Sequence, residues 1–160
     1  MIRPEPTVHA GPRNPEDFMR CALDLARDAY RSSEVPVGAV ITLDGRIIGR
    51  GKNETIARSD PTAHAEVLAL RDAAACIGNY RLEGADLYVT LEPCIMCAGA
   101  MLHSRIRRLF YATADPRAGA VDSLFKLLGD GRLNHRVEVT AGIGEDEARE
   151  ILQRFFAERR

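Results

Sequence analysis

The chain predicts an α/β fold, a three-layer α/β/α domain built on a five-stranded mixed sheet. Three observations carry that expectation: β-branched runs alternate with helix-periodic segments, an Asp44-Gly45 hairpin signal opens the series, and 160 residues with 46% apolar content suit one packed core. Asn14-Pro15 starts the first helix, because Asn satisfies orphan amides and Pro fits the first helical position. Phe18, Ala22, Leu25, Ala26 and Ala29 then recur at helical spacing. Val37 to Leu43 and Arg46 to Gly51 form the first two strands around the turn. Asp60-Pro61 predicts the start of a second helix that carries His64 and Glu66 in its first turns and continues through Val67, Leu68 and Leu70. Asp86 to Leu91 is a third strand, and Pro93 predicts the start of a third helix. Arg108 to Ala112 and Arg136 to Ala141 complete the sheet, separated by a loop with a short apolar helix at Ser123 to Leu128. A last helix is expected from Glu145 to Arg159.

Composition narrows the setting. The formal net charge is −1, which excludes a uniformly basic nucleic-acid binder, yet Arg105, Arg107 and Arg108 cluster, as do Arg132 to Arg136 and Arg154 with Arg159 and Arg160. Such clusters either meet phosphates locally or form a solvated face laced with the acids at Glu145, Asp146, Glu147 and Glu150. Cys21 and Cys76 sit among small apolar residues and are expected in the core, so the four cysteines do not suggest a disulfide framework. No apolar stretch reads as a signal peptide or a membrane span. The expectation is a cytoplasmic protein with a flexible tail at 1–14 and one domain over 15–160.

His64-Ala65-Glu66, followed by Pro93-Cys94-Ile95-Met96-Cys97, is the pattern that carries chemistry. One imidazole and two thiolates fill three corners of a tetrahedron around zinc and leave the fourth for water. Glu66, two residues from His64, is then free to face the open corner as a proton shuttle. Cys94 and Cys97, at i and i+3, share one helical face. A redox pair would leave His64 and Glu66 unexplained. A closed structural zinc site would want a fourth ligand, and Cys21, Cys76, His103 and His135 show no such spacing. The pattern of His-x-Glu with Pro-Cys-x-x-Cys is that of nucleobase deaminases.

Longer runs add a more specific likeness. Asn53, the runs Asp60 to Glu66, Tyr88 to Met101, His103 to Ile106 and Leu133 to Val139, and the closing Phe155-Phe156 resemble the bacterial tRNA-specific adenosine deaminases, of the cytidine and deoxycytidylate deaminase superfamily. The resemblance runs from about Pro15 to the C-terminus; the tail before it has no counterpart. It implies a homodimer with one zinc ion per subunit, converting the wobble adenosine of an arginine tRNA anticodon stem-loop to inosine. It implies also that Asn53 binds the base, although an Asn beyond a strand is commonly a turn residue. Ala98-Gly99-Ala100-Met101 would border the dimer interface or simply pack on the sheet. Phe155 and Phe156 would either pack the last helix or line a path for flanking bases.

Asp115 follows a strand end, where such sheets meet their ligands. It reads either as a partner for a ribose 2′-hydroxyl or as the start of a turn before Pro116. Two alternatives to the RNA reading remain at this stage: a superfamily deaminase acting on a free base or nucleotide, and a non-catalytic zinc-fold RNA-binding subunit. Glu66 argues against the second, which has no need of that carboxylate.

Overall fold

The computed structural model describes residues 13–160, so the expected tail lies almost wholly outside the described residues. Chain order is α1 (Pro15–Arg31), β1 (Gly38–Leu43), β2 (Arg46–Lys52), α2 (Ala65–Ile77), β3 (Asp86–Leu91), α3 (Ile95–Ser104), β4 (Arg108–Thr113), β5 (Glu138–Ala141) and α4 (Glu145–Ala157). The first helix begins as its sequence dictates. Asn14 accepts from the Asp17 amide at 3.0 Å, Asp17 accepts from the Asn14 amide at 3.1 Å, and Pro15 needs no partner.

The five strands lie in the order β2-β1-β3-β4-β5. β1 is antiparallel to both its neighbours, whereas β3, β4 and β5 are parallel, which makes the sheet mixed. Asp44 and Gly45 both take positive φ, 51° and 76°, the two left-handed residues that a tight hairpin between β1 and β2 requires. Alternation then assigns the faces. Ala39, Ile41, Leu87, Val89, Leu109 and Tyr111 point toward α2 and α3; Val40, Tyr88 and Phe110 point toward α1 and α4. Tyr88 stacks on Phe110 with centroids 4.6 Å apart and meets Phe18 of α1 at 5.2 Å.

Glycines allow the helices to lie close on this sheet. A Cβ at Gly38 would fall 2.0 Å from the Ala22 carbonyl of α1, and one at Gly51 would fall 2.2 Å from the Ala65 carbonyl of α2. Because α2 rests on β2 at that point, its first turn, and hence His64 and Glu66, is placed directly by the sheet.

Several boundaries differ from the sequence expectation, two of them because another partner takes the amides concerned. The second helix starts at Ala65 rather than Asp60. Asp60 Oδ1 accepts from the amide and hydroxyl of Thr62, and the Ala63 amide donates to the Asp60 carbonyl, so 60–63 form a turn and His64 becomes an extended N-cap. The third helix starts at Ile95, with Cys94 as its extended N-cap. The expected helix at Ser123 to Leu128 shrinks to a 3₁₀ turn at Leu127–Gly129: the Asp122 and Ser123 amides donate to Glu92, and the Leu124 amide to Gly119. Cys21 and Cys76 are only partly buried, packed at the margins of the two cores. No helix among the described residues is long and apolar enough to cross a membrane.

Candidate active site and metal centre

The parallel strand β3 ends at Leu91, and the chain beyond it delivers Cys94 and Cys97 to the start of α3; the start of α2 delivers His64 opposite them. His64 Nδ1 lies 3.7 Å from Cys94 Sγ and 3.5 Å from Cys97 Sγ, and the three ligand atoms lie within 4.8 Å of one another. Zinc bonds of about 2.0–2.1 Å to nitrogen and about 2.3 Å to sulfur, at a tetrahedral angle, place N and S about 3.6 Å apart. The donor set therefore fits zinc in both chemistry and spacing, with three protein ligands and a fourth corner for solvent or substrate. No fourth Cys or His joins this group among the described residues.

The electrostatics suit a site that moves protons. Glu66 is buried, and burial pushes its carboxyl above the ordinary carboxylate range against the pull of the Cys97 hydrogen bond and of His64. The hydrogen bond from Cys97 holds the Cys94 thiol down at about 4, with His64 adding to it. The same sulfur–sulfur hydrogen bond, together with burial, pushes Cys97 up. His64 is raised mainly by its contact with Cys94. Cys94 is thus the readiest thiolate of the pair.

Around these groups lies a cavity of about 270 Å³, lined among others by Asn53, His64, Glu66, Glu92, Cys94 and Asp115. Its size is near the small end for ligand sites. A larger recess of about 630 Å³ at the opposite end of the sheet is lined by Arg81, Arg105, Arg107 and Arg136, but it contains no group of metal ligands. Chemistry, not volume, locates the site.

Asn53 Nδ2 donates to the Val35 carbonyl at 3.3 Å, while its Oδ1 is buried with no partner. The side chain therefore offers the cavity an acceptor, while one of its two N–H groups is held by Val35. Asp115 serves the turn and the cavity together: Oδ1 accepts from the amides of Arg117 at 3.1 Å and Ala118 at 3.3 Å, and the residue also lines the pocket.

The arginine cluster is not brought to the pocket. Arg107 and Arg108 both fork onto Asp86 at the start of β3, and Arg105 donates to Asn134, a strand length away from the metal ligands. Much of the acidic run on α4 is likewise in ion pairs, with Arg149, Arg154 and Arg27. Phe155 is buried against Tyr30, with Arg159 over its ring, whereas Phe156 is half exposed. Of Ala98-Gly99-Ala100-Met101, Ala98 and Met101 are buried; a Cβ on Gly99 would meet open space.

Sequence reasoning gave Glu92 no role, although it lines the cavity and is almost wholly buried. The signal was present: a carboxylate closing an apolar strand, directly before Pro93, has no solvent to face.

A mixed sheet whose strand and helix ends gather one imidazole, two thiols and a buried carboxylate in a small cavity defines a zinc-dependent deaminase. Residues 12–113 match the cytidine and deoxycytidylate deaminase zinc-binding region. The chain is 53% identical over 146 residues to the tRNA-specific adenosine deaminase of Haemophilus influenzae, covering 91% of this chain and 84% of that one. Among solved structures, one from a study of A-to-I editing by tRNA:A34 deaminases at the wobble position of transfer RNA shares 50% identity, with a TM-score of 0.82 and coverage of 84% and 98%. A guanine deaminase from Nitrosomonas europaea shares 28% identity, with a TM-score of 0.80 and coverage of 96% and 88%. The chain belongs to the tRNA-specific adenosine deaminases.

Proposed function

We propose that the protein hydrolyses the wobble adenosine of a tRNA anticodon stem-loop, an arginine tRNA, to inosine and ammonia. The observation that carries this reading is the buried Glu66 beside His64, Cys94 and Cys97, in a cavity with an unpartnered acceptor on Asn53. In this reading His64, Cys94 and Cys97 hold one zinc ion per subunit, which supplies Lewis acidity that makes a coordinated water acidic near neutral pH.

The chain's own residues do the rest. Glu66 takes a proton from the attacking water and passes it to ring nitrogen N1 of the base; a second transfer through the same carboxylate reaches the departing amino nitrogen. Asn53 Oδ1 accepts an N–H from the base's reacting edge, held in aim by Val35. Asp115 keeps Oδ1 in its turn, and its other oxygen is offered to a ribose 2′-hydroxyl. A small cavity demands an unstacked base, which an anticodon loop presents at low cost.

The same reading makes the protein a cytoplasmic homodimer with a deaminase domain spanning 15–160. Support for a second copy comes from an open, largely apolar groove of about 350 Å³ on α2 and α3, lined by Val67, Leu70, Ala74, Tyr80 and Ala100 among others. Incubation of the purified protein with an arginine anticodon stem-loop, free adenosine, free cytosine and free guanine, followed by nucleoside analysis, tests the substrate. Inosine from the stem-loop alone supports the reading; turnover confined to a free base overturns it.

A further inference from the structure

We propose that Glu92 is a positioning residue for substrate binding: its buried carboxylate clamps the 115–123 loop, one wall of the pocket, onto the strand end that delivers Cys94. Five donors converge on this one side chain. Oε1 accepts from the Asp115 amide at 3.0 Å and from the Ser123 hydroxyl. Oε2 accepts from the amides of Val121 at 3.2 Å, Asp122 at 2.9 Å and Ser123 at 3.0 Å.

All five partners are neutral and all come from the loop. A structural ion pair would put a guanidinium here, which would stabilise a fold without shaping a loop. Four backbone amides instead fix the path of the chain that carries Asp115 and Ala118 into the cavity wall. Without the carboxylate those amides would need solvent, and the loop would have to leave the wall to reach it.

The approach is close on both sides. A Cβ on Gly119 would fall 2.3 Å from the Glu92 carboxylate, so only glycine lets the loop close over it. The Ala120 amide donates to the Pro93 carbonyl at 2.9 Å, and the Glu92 amide to Thr113 at 2.9 Å, so the clamp binds the loop to the backbone beside the metal ligand. Substrate fit should therefore answer to Glu92 more strongly than metal binding does, because the ligands rest on α2 and α3 and not on the loop.

The inference rests on the deaminase reading, so the wild-type substrate is established first; if a free base proves to be the substrate, the same measurements are made on that base. Three full-length variants are compared for zinc content, kcat and KM. Glu92→Gln replaces one acceptor oxygen by a donor facing donors, and KM should rise at least about tenfold, the value of a lost charge-assisted hydrogen bond, with zinc content retained and kcat falling less. Ser123→Ala removes one donor and leaves the amides, and should raise KM by roughly two- to fivefold. Gly119→Ala presses on the carboxylate from the loop side and should reproduce the KM effect; combined with Glu92→Gln it should add little, because both act on one contact. If Glu92→Gln does not fold, the other two variants decide. Unchanged KM in Ser123→Ala and Gly119→Ala, or losses of zinc and kcat at constant KM, would reduce Glu92 to a structural residue and overturn the proposal.

Discussion

Gly51→Ala tests whether the sheet sets the geometry of α2, the helix that carries Glu66 and follows His64. The added Cβ would lie 2.2 Å from the Ala65 carbonyl and 2.6 Å from the Ala69 amide, where ordinary contact begins at 3.4 Å, so β2 and the first turn of α2 must part by about 1.2 Å. Ala65 stands between His64 and Glu66, and both obstructing atoms are backbone, which cannot rotate away. Overpacking of this kind costs roughly 1–3 kcal/mol of stability. A misplacement of about 1 Å at reacting groups costs on the order of 10²-fold in rate. Gly49→Ala provides the comparison: its Cβ would lie 2.4 Å from the Ala69 carbonyl and 2.8 Å from Ala73 Cβ, on the same helix but farther from the site. Urea unfolding, zinc content and kcat/KM on the stem-loop are measured for both. The expected result is comparable destabilisation, with a much larger loss of zinc or kcat/KM in Gly51→Ala. Equal activity losses in the two variants would refute the claim that this contact positions the site.

Glu66→Gln should retain zinc and lose nearly all turnover, whereas Cys97→Ser should lose the metal as well; metal analysis beside a deamination assay separates the two. Asp86 bears on pH. Burial works to raise its pKa, but the hydrogen bonds from Arg108 and Arg107 outweigh that and hold it below its ordinary value. A depressed folded pKa stabilises the fold above the unfolded value near 3.9, and the gain is lost as pH falls through the folded pKa. Asp86→Asn should therefore cost about 1.5 kcal/mol at pH 7, the low end for charged hydrogen bonds because both arginines reach solvent, and the difference should shrink below about pH 4. A difference independent of pH in urea titrations would show that the forks contribute nothing. Asp115→Asn keeps an acceptor for its turn but weakens the acceptor that the proposed reading offers to a ribose 2′-hydroxyl, which only RNA carries, so activity on single-stranded deoxyadenosine should rise relative to RNA; an unchanged ratio on matched loops leaves Asp115 a turn residue.

The element order and the metal-ligand pattern were legible because each rests on short-range rules: periodicity, a two-residue turn, capping at Asn14, and the spacing of His64, Cys94 and Cys97. What the sequence misplaced depends on distant partners. Asp60-Pro61 has the chemistry of a helix start, but Asp60 spends its side chain on Thr62. Ser123 to Leu128 is apolar enough for a helix, but two of the neighbouring amides belong to Glu92, about thirty residues earlier in the chain. The arginine cluster looked like one surface; Asp86, 21 and 22 residues before Arg107 and Arg108, draws both onto itself. For Asn53 the sequence offered a donor and an acceptor to a purine edge or a turn; in the structure one N–H is held by the Val35 carbonyl, a contact no local rule predicts, and Oδ1 has no partner.

These carboxylates also decide what kind of group can enter. Glu34, buried, accepts from the amides of Ile56 and Ala57 and so frames the segment after Asn53, as Glu92 frames the 115–123 loop on the other side. Of these two only Glu92 lines the cavity, and Glu66 and Asp115 add two more carboxyl groups to its wall. Backbone amides neutralise Glu34 and Glu92 in place, without an arginine or lysine among the cavity's lining residues. A phosphate entering such a pocket would be stripped of water and face Glu66, Glu92 and Asp115 with no arginine or lysine to meet it, and a zinc ion held by two thiolates would leave no net positive charge to offset that. A neutral base enters without that cost and finds the unpartnered acceptor on Asn53. On the proposed reading the phosphates of the RNA stay outside the cavity, where a separate surface recess beside the Asn53 segment is lined by Lys52 and by Arg58, itself paired with Glu54. On that reading the pocket admits a base swung out of its strand and leaves the phosphates outside.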